Sequence, residues 1–132
     1  YNQIIEKGNL KLFKSHREDY LDGQQKRDFV YVKDVVKASI LISKNNEIKN
    51  GLLNIGTGKE RSFADLGKAL FNSLGFKINI KYVPMPSNLR SKYQYYTKAN
   101  NSNLIKSGLG NIFRSLEDGI KDYVTFLDSN KT

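Results

Sequence analysis

The stretch RDFVYVKDVVKA, residues 27–38, decides the fold class of this chain. Its first part, Asp28–Val32, is rich in β-branched and aromatic residues, which predicts a strand. Asp34 follows where its carboxylate would cap a helix, and apolar residues then recur at helical spacing to about Ser43. A strand that leads directly into a helix is typical of α/β and α+β domains.

The rest of the chain continues this alternation of short strands and helices. The further predicted elements are a helix end at Tyr1–Lys7 closed by Gly8, strands at Leu10–Phe13, Gly51–Ile55 and Lys77–Val83, and helices capped by Ser62 with Asp65, by Asn100 and by Ser115. Residues 84–96 predict an irregular segment, and Lys14–Lys26 predicts a loop of about a dozen residues, a length often associated with function.

Composition excludes several classes of protein. The chain has 132 residues, about one domain, and it has no cysteine and one histidine. A disulfide scaffold, a thiolate nucleophile and a histidine-rich metal site are therefore not expected. No apolar run approaches the roughly 20 residues that span a bilayer, and no apolar leader segment opens the sequence. These features predict a cytoplasmic globular domain without a membrane partner.

The formal net charge of +9 is unevenly distributed along the chain. Residues 66–116 contain 8 basic side chains and no acidic one. Lysine outnumbers arginine 17 to 5, so part of the excess reflects general lysine enrichment. We therefore expect a surface that binds an anion, and a basic surface for nucleic acid is one alternative.

The Gly56-Thr57-Gly58-Lys59 sequence departs from both phosphate-loop patterns. The Walker pattern requires Ser or Thr after the lysine, and the dinucleotide fingerprint requires a third glycine. A tight turn between a strand and a helix is the favoured interpretation. His16 lies in the long loop without a cysteine or second histidine to form a catalytic pair. An exposed loop histidine and a substrate contact both remain open.

Two further positions indicate binding of a phosphorylated ligand. Arg27 stands where the long loop meets the predicted strand, a position suited to two-point recognition of a diphosphate. A local ion pair with Asp28 or Asp34 is the alternative. The aromatic segment Tyr93–Tyr96 lies in the acid-free stretch, where it either stacks on a nucleotide or forms a strand with one buried tyrosine face.

Three segments in this order and spacing carry a family resemblance that extends over residues 1–128. They are RDFVYVKDVVKA (27–38), LLNIGTGKERSF (52–63) and YVPMPSNLRSKYQYYT (82–97). They resemble the C-terminal half of extended short-chain dehydrogenase/reductases. The KLF segment at residues 11–13 and the prolines at 84 and 86 are most similar to the ADP-glyceromanno-heptose 6-epimerase family.

The resemblance implies a specific architecture and activity. Residues 1–132 would be the substrate-binding part, a small mixed sheet with helices, and the N-terminal Rossmann half would lie outside this chain. The family inverts C6 of an ADP-heptose, a lipopolysaccharide core precursor, by transient oxidation and reduction on NADP, and forms homo-oligomers. Implied substrate contacts are Phe13, Lys14, Ser15, His16, Arg27 and Tyr93. The catalytic Tyr-x-x-x-Lys motif is not found in this sequence, so the chain alone is expected to be inactive.

Three other functional interpretations remain open at this stage. The resemblance implies an ADP-sugar substrate. The first alternative is another epimerase or dehydratase of the same superfamily, with a UDP- or dTDP-sugar as its substrate. A basic nucleic-acid-binding module belongs to a different class, and the uneven charge argues against it. A fragment without a function of its own is the last interpretation. It predicts a large apolar face.

Overall fold

Short strands and helices alternate along the residues that the computed structural model describes, 1–48 and 51–130. The helices are α1 (Asn2–Lys7), α2 (Val32–Lys44), α3 (Phe63–Leu74), α4 (Ser87–Arg90), α5 (Ser102–Lys106) and α6 (Leu116–Ser129). The strands are β1 (Leu10–Phe13), β2 (Lys26–Arg27), β3 (Arg61–Ser62) and β4 (Ile80–Val83). The described part of the chain is therefore a mixed α/β fold, as predicted.

Two small sheets hold the strands. β1 and β4 pair in parallel with Leu10 opposite Ile80, and β2 and β3 pair antiparallel with Lys26 opposite Ser62. An isolated parallel bridge joins Lys26 to Tyr96. β2 therefore lies between β3 and the extended aromatic segment, and this arrangement brings distant parts of the chain together.

Local sequence signals set the helix ends. Ser62 and Asp65 form the predicted capping box of α3, because each side chain accepts a hydrogen bond from the backbone N–H of the other residue. Gly8 and Gly75 end α1 and α3 in the left-handed conformation, with φ of 62° and 72°. Ser115 caps α6 by accepting from the Asp118 N–H.

The predicted strand over Asp28–Val32 is wrong. Its residues form no ladder with other described residues, and α2 already begins at Val32. Asp34 consequently lies in the first turn of α2, and the predicted cap at this residue is also wrong. Its carboxylate is buried and accepts hydrogen bonds from the backbone N–H and the side chain of Arg114. A tertiary ion pair thus determines the role of Asp34.

Four further predictions need correction. Gly51–Ile55 forms no strand. The segment contacts the residues before α5 through side chains, and Asn54 donates a hydrogen bond to the Asn100 carbonyl. The predicted strand Lys77–Val83 is shorter, since only Ile80–Val83 has a partner in β1. The N-cap of α5 is Asn101, although the Asn100 side chain accepts from the Ser102 N–H at 3.2 Å. The irregular segment 84–96 also contains the single-turn helix α4.

The core lies where α3 packs against α6 and β1. Its largest fully buried side chains are Phe71, Ile4, Met85, Leu104 and Gln25. On α2, Ala38 faces this interior, whereas Val32, Val36 and Ile40 form a stripe at helical spacing that is 61%, 52% and 47% exposed. No helix among the described residues is long and apolar enough to cross a membrane.

Candidate functional site

The structure brings together three of the predicted site residues, Phe13, Arg27 and Tyr93. The rings of Phe13 and Tyr93 meet edge to face with their centroids 6.4 Å apart. The guanidinium carbon of Arg27 lies 5.4 Å from the Tyr93 ring centroid and 5.7 Å from that of Phe63. These rings surround a cavity of about 300 Å³, here called the aromatic hollow, which is lined by Lys11, Leu12, Phe13, Gln25, Phe63 and Tyr93.

Backbone pairing positions Arg27 beside the aromatic segment. The Lys26 N–H donates to the Tyr95 carbonyl at 2.9 Å, and the Thr97 N–H donates to the Lys26 carbonyl at 3.2 Å. On its other side, β2 pairs with β3, immediately before Phe63 begins α3. Phe63 and Tyr93 therefore lie on opposite flanks of the strand that presents Arg27.

Asp28, the next residue, holds two distant segments to this strand. Its carboxylate accepts hydrogen bonds from the Gly58 N–H at 2.9 Å, the Ala99 N–H at 3.1 Å and both the N–H and the hydroxyl of Thr57. A Cβ atom on Gly56 would lie 2.5 Å from the Cβ of Ala99, so glycine permits this close approach. The predicted tight turn between a strand and a helix is wrong, because Gly56 and Gly58 are bends in a segment that directly follows no strand of the described chain. The Asp28 carboxylate occupies the N–H groups of Thr57 and Gly58 that a phosphate loop would offer.

Arg27 is held by carbonyl oxygens and not by a carboxylate. Its guanidinium donates to the Lys26 carbonyl at 2.8 Å and to the Gln94 carbonyl. Among residues 1–48 and 51–130 it forms no ion pair, so the alternative of a local pair with Asp28 or Asp34 does not occur. A planar cation that is oriented but not neutralised is suited to bind an anion with its other N–H groups.

The aromatic segment alternates between buried and exposed positions. Tyr95 is 6% exposed and packs edge to face on Tyr93 with centroids 5.4 Å apart, whereas Tyr96 is 47% exposed. Burial raises the pKa of the Tyr93 phenol above its ordinary value, although the nearby Arg27 cation partly opposes this shift. Tyr93 is therefore a neutral, half-buried ring at neutral pH, and its hydroxyl remains a hydrogen-bond donor.

Lys14, Ser15 and His16 follow Phe13 but do not line the aromatic hollow. Their backbone N–H groups donate to the Val83 carbonyl, the Asp22 carboxylate and the Tyr95 hydroxyl, at 2.8, 2.7 and 2.9 Å. His16 is exposed, and its Nε2 accepts from the Met85 N–H at 3.1 Å. The bonding within this loop means that these three residues have only side chains and carbonyl groups to offer a ligand.

Sequence reasoning missed Lys11, Leu12, Gln25 and Phe63 as lining residues of the aromatic hollow. Phe63 has the spacing of an ordinary core residue of α3, and Gln25 stands in a polar loop. The Phe63 N–H donates to the Gln25 carbonyl at 3.1 Å, and this contact joins the two segments. The sequence signal that could have identified Gln25 is its position two residues before Arg27, because alternate residues of an extended segment share a face.

A metal centre has no support in the described residues. They contain no group of three or more His, Cys, Asp or Glu side chains that could hold a metal ion. The Asp28 carboxylate accepts from the Gly58 N–H, and the Asp65 carboxylate accepts from the Ser62 N–H and from Nε of Arg61. The aromatic hollow, with Arg27 beside its Tyr93 ring, is the cavity that contains predicted site residues.

Comparisons with known proteins agree with the predicted resemblance. Residues 1–56 match the NAD dependent epimerase/dehydratase family. The chain is 45% identical over 130 residues to the ADP-L-glycero-D-manno-heptose-6-epimerase of Fusobacterium nucleatum. The alignment covers 94% of this chain and 39% of that relative. The relative of the same name from Nitratidesulfovibrio vulgaris is 43% identical over 124 residues, 94% of this chain and 38% of that protein.

Solved structures show the same similarity in three dimensions. The crystal structure of Helicobacter pylori ADP-L-glycero-D-manno-heptose-6-epimerase superposes with a TM-score of 0.71 at 28% identity, over 96% of this chain and 35% of that one. A UDP-N-acetylglucosamine 4-epimerase from Methanobrevibacter ruminantium, at 24% identity and a TM-score of 0.73, shares the fold over 98% of this chain and 38% of its own. The chain thus spans 38–39% of the length of the two curated relatives.

Proposed function

We propose that this chain is the nucleotide-sugar-binding part of an NADP-dependent ADP-glyceromanno-heptose 6-epimerase, an isomerase that inverts C6 of the heptose. The observation that carries the proposal is that Tyr93 contacts both Phe13, with which it lines the hollow, and the guanidinium of Arg27, although the three residues come from separate segments. The identity of 43–45% to relatives with that name supports the ADP-heptose substrate.

The chemistry of the site matches the parts of an ADP-sugar. Arg27 would bind the diphosphate, because its guanidinium is oriented by carbonyl groups and has no carboxylate partner among the described residues. The rings of Phe13 and Tyr93 would contact the nucleotide or the sugar. The side chains of Lys14, Ser15 and His16 would reach the ligand from the loop beside the aromatic hollow.

The redox chemistry belongs to residues outside this chain in our proposal. NADP would supply transient oxidation and reduction at C6, but the residues described here do not fit its diphosphate, because Asp28 occupies the N–H groups of Thr57 and Gly58. The sequence also lacks a Tyr-x-x-x-Lys motif. This chain would therefore bind and orient the nucleotide sugar, and the catalytic residues would come from the remainder of the protein.

The exposed stripe of α2 supports a division into two parts. Val32, Val36 and Ile40 are exposed and lie on one face of α2. Contiguous exposed apolar side chains of this kind mark surfaces that contact another protein part. We propose that residues 1–132 form the substrate-binding part and that this stripe contacts the dinucleotide-binding part. A cytoplasmic homo-oligomer is the corresponding proposal for the whole enzyme, and the lack of cysteine is consistent with a reducing compartment.

The test uses the natural full-length protein that contains this chain. Isothermal titration with ADP, UDP and dTDP should show tightest binding of ADP, and NMR should show inversion at C6 of an ADP-heptose when NADP is present. The 132-residue chain alone should show no turnover and should not retain NADP. Tighter binding of UDP or dTDP would indicate a different nucleotide sugar, and a salt-sensitive preference for long oligonucleotides would favour the nucleic-acid alternative.

A further inference from the structure

The guanidinium of Arg27 lies against a second ring, that of Phe63, which is not among the substrate contacts that the family resemblance implies. The guanidinium carbon is 5.7 Å from the Phe63 ring centroid and 5.4 Å from that of Tyr93. A cation within about 6 Å of an aromatic ring is attracted by the electrons of its face. Because the two rings flank β2 on opposite sides and two carbonyl groups also bind the guanidinium, the side chain is restrained from several directions.

The Phe63 ring is itself held in place by its surroundings. Phe63 is the first residue of α3, where the capping box orders the chain. Its N–H donates to the Gln25 carbonyl at 3.1 Å, which ties its backbone to the segment that leads into β2. Phe29 packs edge to face on the ring, with the centroids 5.4 Å apart and an interplanar angle of 88°. Phe63 therefore offers Arg27 a surface whose position is already set.

We propose that Phe63 is a positioning residue for Arg27, and that its ring keeps the guanidinium in the orientation that binds the diphosphate of the ligand. This assignment rests on the proposed function. An unrestrained arginine side chain has many rotamers, and binding would have to select one of them. The contact with Phe63 limits this choice before the ligand arrives. The guanidinium N–H groups that make no hydrogen bond with described residues remain for the anion.

Direct contact between Phe63 and the ligand is the competing interpretation, because Phe63 also lines the aromatic hollow. The two interpretations differ in what happens when Arg27 is absent. A ring that acts through the guanidinium has no effect on affinity once the guanidinium is removed. A ring that contacts the ligand contributes the same amount with or without Arg27, so the two losses add.

A double-mutant cycle, measured by titration calorimetry with ADP on the full-length protein, separates them. Phe63→Leu should weaken ADP binding about 3- to 10-fold when Arg27 is present. In the Arg27→Met background the same change should alter the affinity by less than about twofold. Phe63→Tyr retains the ring and should restore the wild-type affinity. Phe76→Leu, on the loop after α3, removes a ring that is 46% exposed and should leave ADP binding unchanged.

A second measurement covers the case in which Phe63→Leu does not fold. In wild-type protein, nuclear Overhauser effects should connect the Arg27 side chain to the Phe63 ring both before and after ADP is added. Their loss on ADP binding, or an equal weakening by Phe63→Leu in both backgrounds, would overturn the assignment and leave the proposed function intact. Failure of wild type to bind ADP at all would overturn both.

Discussion

The guanidinium of Arg27 lies 5.4 Å from the centre of the Tyr93 ring, although the two residues belong to distant segments of the chain. One segment contains both acidic and basic side chains, and the other belongs to a stretch of 51 residues without an acidic one. β2 joins them, because Lys26 pairs with both β3 and the aromatic segment. The acid-free stretch, residues 66–116, thus contributes Tyr93 to the ring contact of Arg27.

Replacement of Arg27 by lysine should weaken ADP binding about tenfold, which corresponds to about 1.4 kcal/mol. Lysine retains the charge but loses the planar fork and the two carbonyl contacts that orient it. Titration calorimetry on the full-length protein measures the effect. Arg90→Lys, on the short helix α4, is the matched control and should bind ADP as wild type does. Equal affinities for the two variants would show that Arg27 does not hold the diphosphate.

Replacement of Asp28 by alanine should lower the free energy of unfolding by about 2–4 kcal/mol. The carboxylate satisfies N–H groups of Thr57, Gly58 and Ala99, and alanine would leave them without that acceptor. Urea denaturation followed by circular dichroism provides the measurement. Asp19→Ala removes an exposed carboxylate paired with Arg17, so it should change the free energy of unfolding much less than Asp28→Ala does. A similarly small effect of Asp28→Ala would contradict the conclusion that this carboxylate holds the two distant segments in place.

Replacement of Arg114 by methionine should lower the free energy of unfolding by about 2 kcal/mol, because it removes the side-chain partner of a buried carboxylate. The Asp34 side chain is 4% exposed, and its Oδ1 lies 3.0 Å from Nε of Arg114. Lys33→Met removes a more exposed cation and should cost less. Combining Arg114→Met with Asp34→Asn should recover part of the loss, and thermal denaturation of all variants checks this order. No recovery in the double variant would mean that the arginine acts through packing alone.

Stability should fall in acid partly through Asp122. Hydrogen bonds from Lys33 and then from Tyr31 lower the pKa of its carboxyl below the ordinary value of 3.8. The stabilisation is therefore complete above about pH 4 and is lost as the pH falls through the lower pKa of the folded state. Urea denaturation between pH 6 and pH 2 should show that the gap between wild type and Asp122→Asn narrows in acid. A gap that stays constant would exclude this contribution.

The sequence predicted those features that depend on neighbouring residues. The capping box of Ser62 and Asp65 and the left-handed glycines at 8 and 75 are local, because donor, acceptor and backbone angle lie within a few residues. The family resemblance also depends on local segments in a fixed order. It indicated Phe13, Arg27 and Tyr93; in the structure Phe13 and Tyr93 line one cavity, and Arg27 lies against the Tyr93 ring.

Tertiary contacts decided what the sequence could not. Asp28–Val32 has the composition of a strand, but its backbone has no ladder partner in the described parts of the chain, and the Asp28 carboxylate fastens it to two remote segments instead. Gln25 reads as a polar loop residue, yet folding buries it in the wall of the aromatic hollow. The sequence by itself determined the mixed α/β class, the capping box of α3 and the left-handed glycines that end α1 and α3. The set of side chains that lines the hollow came only from tertiary structure, because hydrogen bonds between distant residues leave no periodic or local signal in the chain.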